Sequence, residues 1–540
     1  ARAKYRARDY LGCVEDMERV RGRWGREEYW NHLDRCLRYG EQYERASKLW
    51  ADRAKKSSSA SRAKSDRWRA VNRAVLGGHY ELAASRLEEY GAVSKRGRYA
   101  DDGAWLSAWI PYRRGLYEEA EMRFRDYLRR KKGERKPAAK YFLAKVMLLQ
   151  RVETKRTDAI ALLRELEARG NASMVSHGIM GGFPGYYGLL AAALLETHGV
   201  ETSSAPALHA VPHSSPFLHY PSARAALASR SEATREVLPG LARCEWLLAA
   251  GYLEEAQQAF RVEVNRYLNG RKIIKGWKLR VPRSETLARG LSWKAEWEYP
   301  KPRPTREQLA KLREDGVAEE IRVELVALAH LLNEPHWYAK LLSSKKYPYR
   351  SRAYLRAFRE HVEPAALKKG IDPKVYWSLM YTESRFNPFV VSYVGATGLM
   401  QVYPPALRRR LRERGLFEGI IDIDKLFDVR TNVQASLMWG EESMKRFMGN
   451  LALVYGSYNG GVHNVSRWLR AKHIDGRLAL DDFIEEIEFR ETRNYVRRVI
   501  SVYASYHLIY EGTLPTFDND LTEIFESGEF KVERTSVEDP

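Results

Sequence analysis

The sequence predicts an all-α protein: an N-terminal α-superhelical array of helical hairpins over about two-thirds of the chain, followed by a C-terminal, mainly helical segment of different texture. Three observations carry this. The front is rich in Ala, Leu, Arg and Glu, with few β-branched runs and a helical periodicity. A short glycine-led pattern recurs through it at a spacing near 37 residues. The formal charge of +21 is also uneven: residues 365–540 hold 23 Lys/Arg against 25 Asp/Glu, leaving a net +23 on the other 364.

The repeat reads Gly78-His79-Tyr80-Glu81-Leu82-Ala83, Gly115-Leu116-Tyr117-Glu118-Glu119-Ala120 and Gly251-Tyr252-Leu253-Glu254-Glu255-Ala256, with a looser copy from Gly40 to Ala46. Ala46, Ala83 and Ala120 are 37 apart, and Ala159 follows after 39. Gly closes one helix in a left-handed cap, the aromatic residue starts the next, and Ala lets the two backbones approach. One helical hairpin per repeat is the signature of an α-solenoid. Two breaks interrupt it. Residues 201–222, with Pro206, Pro212, Pro216 and Pro221, form a long loop, and residues 300–304 a second. His209, His213 and His219 in the first loop lack a carboxylate or thiolate to complete a ligand set, so no metal is expected. The basic run from Arg129 to Lys136 contains Gly133 and precedes Pro137, and reads as a solvated turn between helices.

Composition excludes several classes. Hydrophobic content of 44% and aromatic content of 11% rule out a disordered chain. No apolar run approaches the roughly 18 residues of a membrane span. Three cysteines cannot build a disulfide scaffold or a four-thiolate zinc site. Cys13 and Cys36 could pair in an oxidising compartment, buried free thiols being the commoner alternative, and Cys244 sits in an apolar segment. The opening Ala-Arg-Ala-Lys-Tyr-Arg-Ala-Arg has no apolar stretch behind it, so a signal peptide is absent or already removed. The basic front suggests a polyanionic partner or, equally, many solvated Arg faces. No nucleic-acid recognition motif or stacking pattern accompanies it, and no nucleic-acid partner is expected.

Chemistry gathers at the back. Asp372-Pro373 is a helix start, Asp capping free N–H groups and Pro fitting the first position. The helix runs to Glu383 and ends before Ser384-Arg385-Phe386-Asn387-Pro388. A carboxylate in the last turn of an apolar helix is opposed by the macrodipole and desolvated by its neighbours, so its pKa should rise toward that of a general acid. Next come Ser392 to Gln401, with two glycines where a loop turns tightly, then Tyr455-Gly456-Ser457-Tyr458-Asn459-Gly460-Gly461. Phe489-Arg490-Glu491-Thr492-Arg493-Asn494-Tyr495-Val496 opens a last helix.

Glu383-Ser384, Gly398-Leu399-Met400-Gln401, Tyr458-Asn459-Gly460-Gly461 and Glu491-Thr492-Arg493-Asn494-Tyr495-Val496, in that order, resemble the soluble lytic transglycosylases of bacterial cell walls, whose catalytic domain is similar to goose-type lysozyme. Four motifs over about 115 residues make the match specific, and it is strong over residues 347–510. Ser457 stands where the family usually has Ala, and Gly460 replaces a frequent Ala; both are small and should not disturb the site. The resemblance implies a superhelical region at 1–345 that the family closes into a ring, a linker at 346–364, a lysozyme-like catalytic domain at 365–515 and an acidic tail at 516–540.

It further implies cleavage of the β-1,4 bond between N-acetylmuramic acid and N-acetylglucosamine in peptidoglycan, in the periplasm, with no cofactor or metal. Glu383 would act first as acid and then as base. Tyr458, with Asn459 fixing its loop, would lie near the reacting sugar; Ser392, Met400 and Gln401 would hold sugars and peptide; Glu491 would support Tyr458 or the N-acetyl group; Ser384 would orient backbone beside Glu383. Asp422, Asp424 and Asp428 lie outside the motifs and read as helix caps or solvated groups. A hydrolytic muramidase and a helical scaffold with an inactive enzyme domain are the alternatives. Partners would be glycan strands and cell-wall synthesis or division proteins.

Overall fold

The computed structural model describes residues 1–20, 26–91, 99–131, 133–176, 184–202, 222–270, 304–314, 316–342, 353–415, 423–472, 478–515 and 519–527. His209, His213, His219, Asp422, most of both proline-rich loops and the end of the acidic tail lie outside them. The described chain is a succession of α-helices, its extended pairing limited to isolated bridges such as Val391–Thr397 and Thr397–Val402.

The repeat becomes geometry as the glycine pattern requires. Gly78, Gly115 and Gly251 sit at φ 73°, 78° and 85°, and helices Tyr80–Tyr90, Tyr117–Arg129 and Leu253–Gly270 follow. Ala46, Ala83, Ala120, Ala159 and Ala256 are fully buried, each at the close approach of neighbouring helices. In the looser copy the left-handed residue is Glu41 (φ 62°) rather than Gly40. Each helix packs on the next: Tyr43–Lys55 on Ala60–Leu76, Ala100–Arg113 on Tyr117–Arg129, Lys136–Leu149 on Glu153–Ser176 and that on Pro184–Thr197. Cys13 and Cys36 are joined in a disulfide that ties helix Tyr10–Arg19 to helix Arg26–Tyr39. No helix among the described residues is long and apolar enough to cross a membrane.

The array packs against the C-terminal region at several places, helix Pro184–Thr197 on Arg490–Glu511 and Ala60–Leu76 on Val462–Lys472 among them. Helix Leu480–Glu486 and the residues after it carry Asp481, Asp482, Glu485, Glu486 and Glu488, and its side chains are buried. Buried carboxylates need partners, and the array supplies them. Lys145 lies 2.7 Å from Asp481 and 3.2 Å from Asp482, and Arg113 lies 2.8 Å from Asp482. Tyr141, Tyr112, Trp109 and Tyr187 donate to Asp481, Asp482, Glu486 and Glu485 at 2.5–2.8 Å. Arg38 of the array and Arg467 bracket Glu488. Burial alone would raise the Glu486 and Glu488 carboxyls, but Lys472 and then Arg113 hold Glu486, and Arg38 and Arg467 hold Glu488, below the usual range. Part of the positive excess in the front is therefore neutralised inside the molecule. At the other end of the array, His336 Nδ1 lies 3.0 Å from the Arg385 carbonyl oxygen, to which it donates. The Arg261 guanidinium covers the Phe389 ring at 5.6 Å.

Candidate active site

Helix Pro373–Glu383 delivers the acid. Asp372 accepts from Lys374 N at 2.9 Å, capping the start, and Pro373 occupies the first turn. Val375 through Tyr381 form an unbroken buried run, so the helix is fixed by packing on both sides. Helix Arg490–Glu511 is its main partner. At the other end Ser384 is buried, its Oγ donating to Met380 O at 3.3 Å, and the chain turns through two left-handed residues, Arg385 (φ 52°) and Phe386 (φ 62°). Non-glycine residues pay steric strain there, and the buried Phe386 ring and the His336 contact hold the turn.

Glu383 ends at the base of this turn, partly open to solvent. Burial raises its carboxyl from 4.5 to about 7; the Glu491 charge adds to the rise, while the Tyr495 hydroxyl and Arg498 oppose it. Tyr495 donates to Glu383 Oε1 at 2.5 Å. A proton donor on the carboxylate and an apolar surround pull in opposite directions, leaving an acid that can lose and regain a proton near neutrality.

The loop that follows forms one wall. Thr397 and Val402 exchange backbone hydrogen bonds of 2.9 and 3.0 Å, and Gly398 N donates to Val390 O at 2.8 Å. Gly398 (φ 78°) needs its missing side chain: a Cβ would run into the Asn432 side chain and the Leu426 carbonyl. Asn432, on helix Val429–Arg446, accepts from Met400 N at 2.9 Å and donates to Thr397 O and Leu426 O at 3.0 and 2.7 Å. Sequence reading missed this buried staple, which belongs to none of the motifs. Gln401 (φ 49°) gives its amide to Val390 O and Gly398 O, both at 3.0 Å, and Ser392 Oγ accepts from Ala396 N at 3.0 Å. Both side chains are engaged in shaping the loop.

Tyr458, on helix Leu451–Gly460, donates to Met400 O at 2.6 Å and lies 3.0 Å from Ser436 Oγ. Its hydroxyl is held above the usual range by burial and then by the Glu383 charge. Asn459 Oδ1 accepts from Thr492 Oγ1 at 2.6 Å, linking the third and fourth motifs. Gly460 makes room for Thr492: a Cβ there would lie 2.9 Å from Thr492 Cγ2. Ser457 is buried with its hydroxyl unpartnered. Glu491 is exposed at the start of helix Arg490–Glu511, and the Tyr458 hydroxyl is taken up by Met400 and Ser436. Asp428 caps helix Val429–Arg446, accepting from Thr431 N at 2.8 Å. Tyr495 is the partner of Glu383 that sequence reading passed over, although it lies inside the quoted fourth motif.

The site thus unites the ends of three helices and one glycine-bearing loop around a single desolvated acid. The class is that of all-helical proteins in which a helical domain bearing the site follows an α-helical array. Residues 360–478 match the family model of the transglycosylase SLT domain. The chain is 26% identical over 204 residues to the soluble lytic murein transglycosylase of Escherichia coli, covering 37% of this chain and 31% of that protein. It is 27% identical over 173 residues to the membrane-bound lytic murein transglycosylase C of Actinobacillus pleuropneumoniae, covering 29% of this chain and 46% of that one. The matches span less than half of either relative. The solved structure of an inactive mutant of lytic transglycosylase Slt from Pseudomonas aeruginosa aligns with 94% of this chain and 68% of that one, with a TM-score of 0.53 and 16% identity. The resemblance carried by the four motifs therefore holds, and the fold extends through the array.

Proposed function

We propose that this chain is a peptidoglycan lytic transglycosylase of the periplasm, its superhelical region spanning 1–345, a linker 346–364, the catalytic domain 365–515 and an acidic tail 516–540. The observation that carries the reading is Glu383 itself: an acid raised to about 7 by burial, bonded to Tyr495 and, among the described residues, with the exposed Glu491 as the acidic group that adds to the rise. Hydrolysis by two carboxylates needs a second one close to the first. A single acid suffices if the substrate supplies the nucleophile.

In that mechanism Glu383 protonates the glycosidic oxygen as the C1–O bond of N-acetylmuramic acid breaks, and the 2-acetamido oxygen bonds to C1. The Glu383 carboxylate then takes the C6 hydroxyl proton, O6 bonds to C1, and the acetamido oxygen leaves. The product is a 1,6-anhydro sugar; no water is consumed and Glu383 ends protonated. Tyr495 holds the carboxylate between the two acts. Tyr458, Asn459, Ser392, Met400, Gln401 and Glu491 shape and bind around the reacting sugars, and Ser384 orients the turn. The cations of the array left after the carboxylates of 481–488 are matched guide an acidic polymer, so binding to sacculi should weaken with salt. Mass spectrometry of digested sacculi tests the reaction: anhydro ends are expected, and reducing muramic acid ends would identify a hydrolytic muramidase instead.

A further inference from the structure

The two partners of the Glu383–Tyr495 hydrogen bond belong to different elements, and each element is tied to the array. Tyr495 sits on helix Arg490–Glu511, which packs directly on array helix Pro184–Thr197. Two residues further on, about 200° around the helix, Arg497 stands on its opposite side. Arg497 pairs with Glu485, whose carboxylate accepts from the Tyr187 hydroxyl of the array at 2.5 Å. The Arg497 guanidinium lies 5.6 Å from the Tyr187 ring, and Arg493 Nη1 donates to Glu485 O at 2.8 Å. Tyr187, Glu485 and Arg497 are all buried, so each relies on the others for its polar partner.

The acid is tied from the other end of the array. Glu383 closes helix Pro373–Glu383, and the chain then passes through the left-handed Arg385 and Phe386. Such backbone persists only where its surroundings impose it. His336, on helix Pro335–Leu342, donates to the Arg385 carbonyl oxygen at 3.0 Å. Burial holds this imidazole neutral, the Lys340, Arg385 and Arg261 charges adding to the effect, so the contact does not switch across the neutral range. The acid's own environment depends on the same frame. After burial, the groups that set the Glu383 carboxyl are Tyr495, Arg498 and Glu491, all on helix Arg490–Glu511. Tyr458, whose hydroxyl feels the Glu383 charge, comes from helix Leu451–Gly460. A hydrogen bond of 2.5 Å weakens steeply when stretched, so a small slip of helix Arg490–Glu511 against the turn would change the acid.

We propose that Tyr187 and His336 are positioning residues of the reaction: through them the array fixes the distance between Glu383 and Tyr495, with one contact on each partner's element. The inference rests on the transglycosylase reading and gives the array a second task beside binding the polymer. Variants of the full chain test it. Tyr187→Phe and His336→Leu each remove one donor. Tyr141→Phe removes a comparable buried donor, bonded at 2.8 Å to Asp481 in the same interface, and controls for simple loosening. On sacculi, Tyr187→Phe and His336→Leu should lower kcat about three- to tenfold and keep KM within about twofold. The Glu383 titration is read without substrate, as the difference in urea stability between each background and the same background carrying Glu383→Gln, from pH 5 to 9. Its midpoint should rise by about half a unit in both variants, because a looser Tyr495 favours the carboxylate less. His336→Asn, which keeps a donor near the Nδ1 position, should restore the wild-type midpoint. Tyr141→Phe should lower the thermal midpoint about as much as Tyr187→Phe and leave the Glu383 titration unmoved. In a Tyr495→Phe background neither Tyr187→Phe nor His336→Leu should shift it further. An unmoved titration in both variants would overturn the proposal, as would an equal shift in Tyr141→Phe or shifts that persist without the Tyr495 hydroxyl. A raised KM with kcat intact would also overturn it, leaving the array a binding surface alone. Anhydro products report separately: their absence from the wild type would remove the reaction, while the substrate-free titration still decides the positioning.

Discussion

Replacing Glu383 with Gln should abolish activity and, above neutrality, make the protein more stable. The carboxyl is raised from 4.5 to about 7, chiefly by burial. The sign follows from proton linkage. Below pH 4.5 the group is protonated folded or unfolded, and its substitution by Gln is nearly neutral. Between 4.5 and about 7 the unfolded chain releases this proton while the folded chain keeps it, so wild-type stability falls as pH rises. Above about 7 the folded state carries the full cost of a desolvated charge. At about 1.4 kcal/mol per pH unit the ceiling is roughly 3 kcal/mol, and partial solvent contact at Glu383 brings the expectation to about 1.5. Gln keeps an oxygen for the Tyr495 hydroxyl, so the local bond survives. The assay is urea unfolding of wild type and Glu383→Gln at pH 4 and pH 8.5, alongside release of anhydro products. Gln should be about 1–2 kcal/mol more stable at pH 8.5, equal at pH 4, and slower by at least about a hundredfold. Equal stability at both pH values would refute the desolvated acid, and wild-type turnover would refute its role.

Tyr495→Phe removes a donor that favours the ionised carboxylate, so the Glu383 pKa should rise further and the alkaline limb of the rate profile should move about one pH unit upward; an unmoved limb would separate Tyr495 from the acid. Lys145→Ala takes the cation from buried Asp481, while Asp482 keeps Arg113, and should cost about 3–5 kcal/mol by denaturant titration. Arg490→Ala, which breaks an exposed pair with Glu134, should cost under about 0.5 kcal/mol in the same experiment. Gly398→Ala forces a side chain into Asn432 at a left-handed position, and should lower stability by about 2 kcal/mol and activity with it, read by thermal melts and product release. Cys13→Ser opens the disulfide to Cys36 across 23 residues and should lose about 2–4 kcal/mol, recoverable as a matched loss on reduction of the wild type.

Much of this architecture was legible along the chain because it is local. The glycine-led pattern announced helix ends that do adopt left-handed caps, and its alanines are buried where helices meet. Asp372-Pro373 and the stop before Pro388 bounded the helix that ends at Glu383. The desolvation of Glu383 followed from an apolar helix with a carboxylate in its last turn. Gly40 shows the limit of such reading: the left-handed position fell one residue later, on Glu41, because the geometry of the cap rather than the residue type decides it.

Sequence alone determined the helical fold class, the helix that ends at Glu383 and the order of the motifs, since each depends on neighbours within a few turns. Tertiary structure alone decided which distant groups meet. Tyr495 reaches Glu383 across 112 positions, and Asn432 staples Met400 across 32. It also decided where charge goes. The +23 of the front reads as a surface property in one dimension, yet Lys145, Arg113 and Arg38 face inward to carboxylates more than 300 residues away. Periodicity records which face of a helix avoids water; it carries no record of which other helix will cover that face. That choice is made by packing and by the cost of leaving a buried charge unmatched.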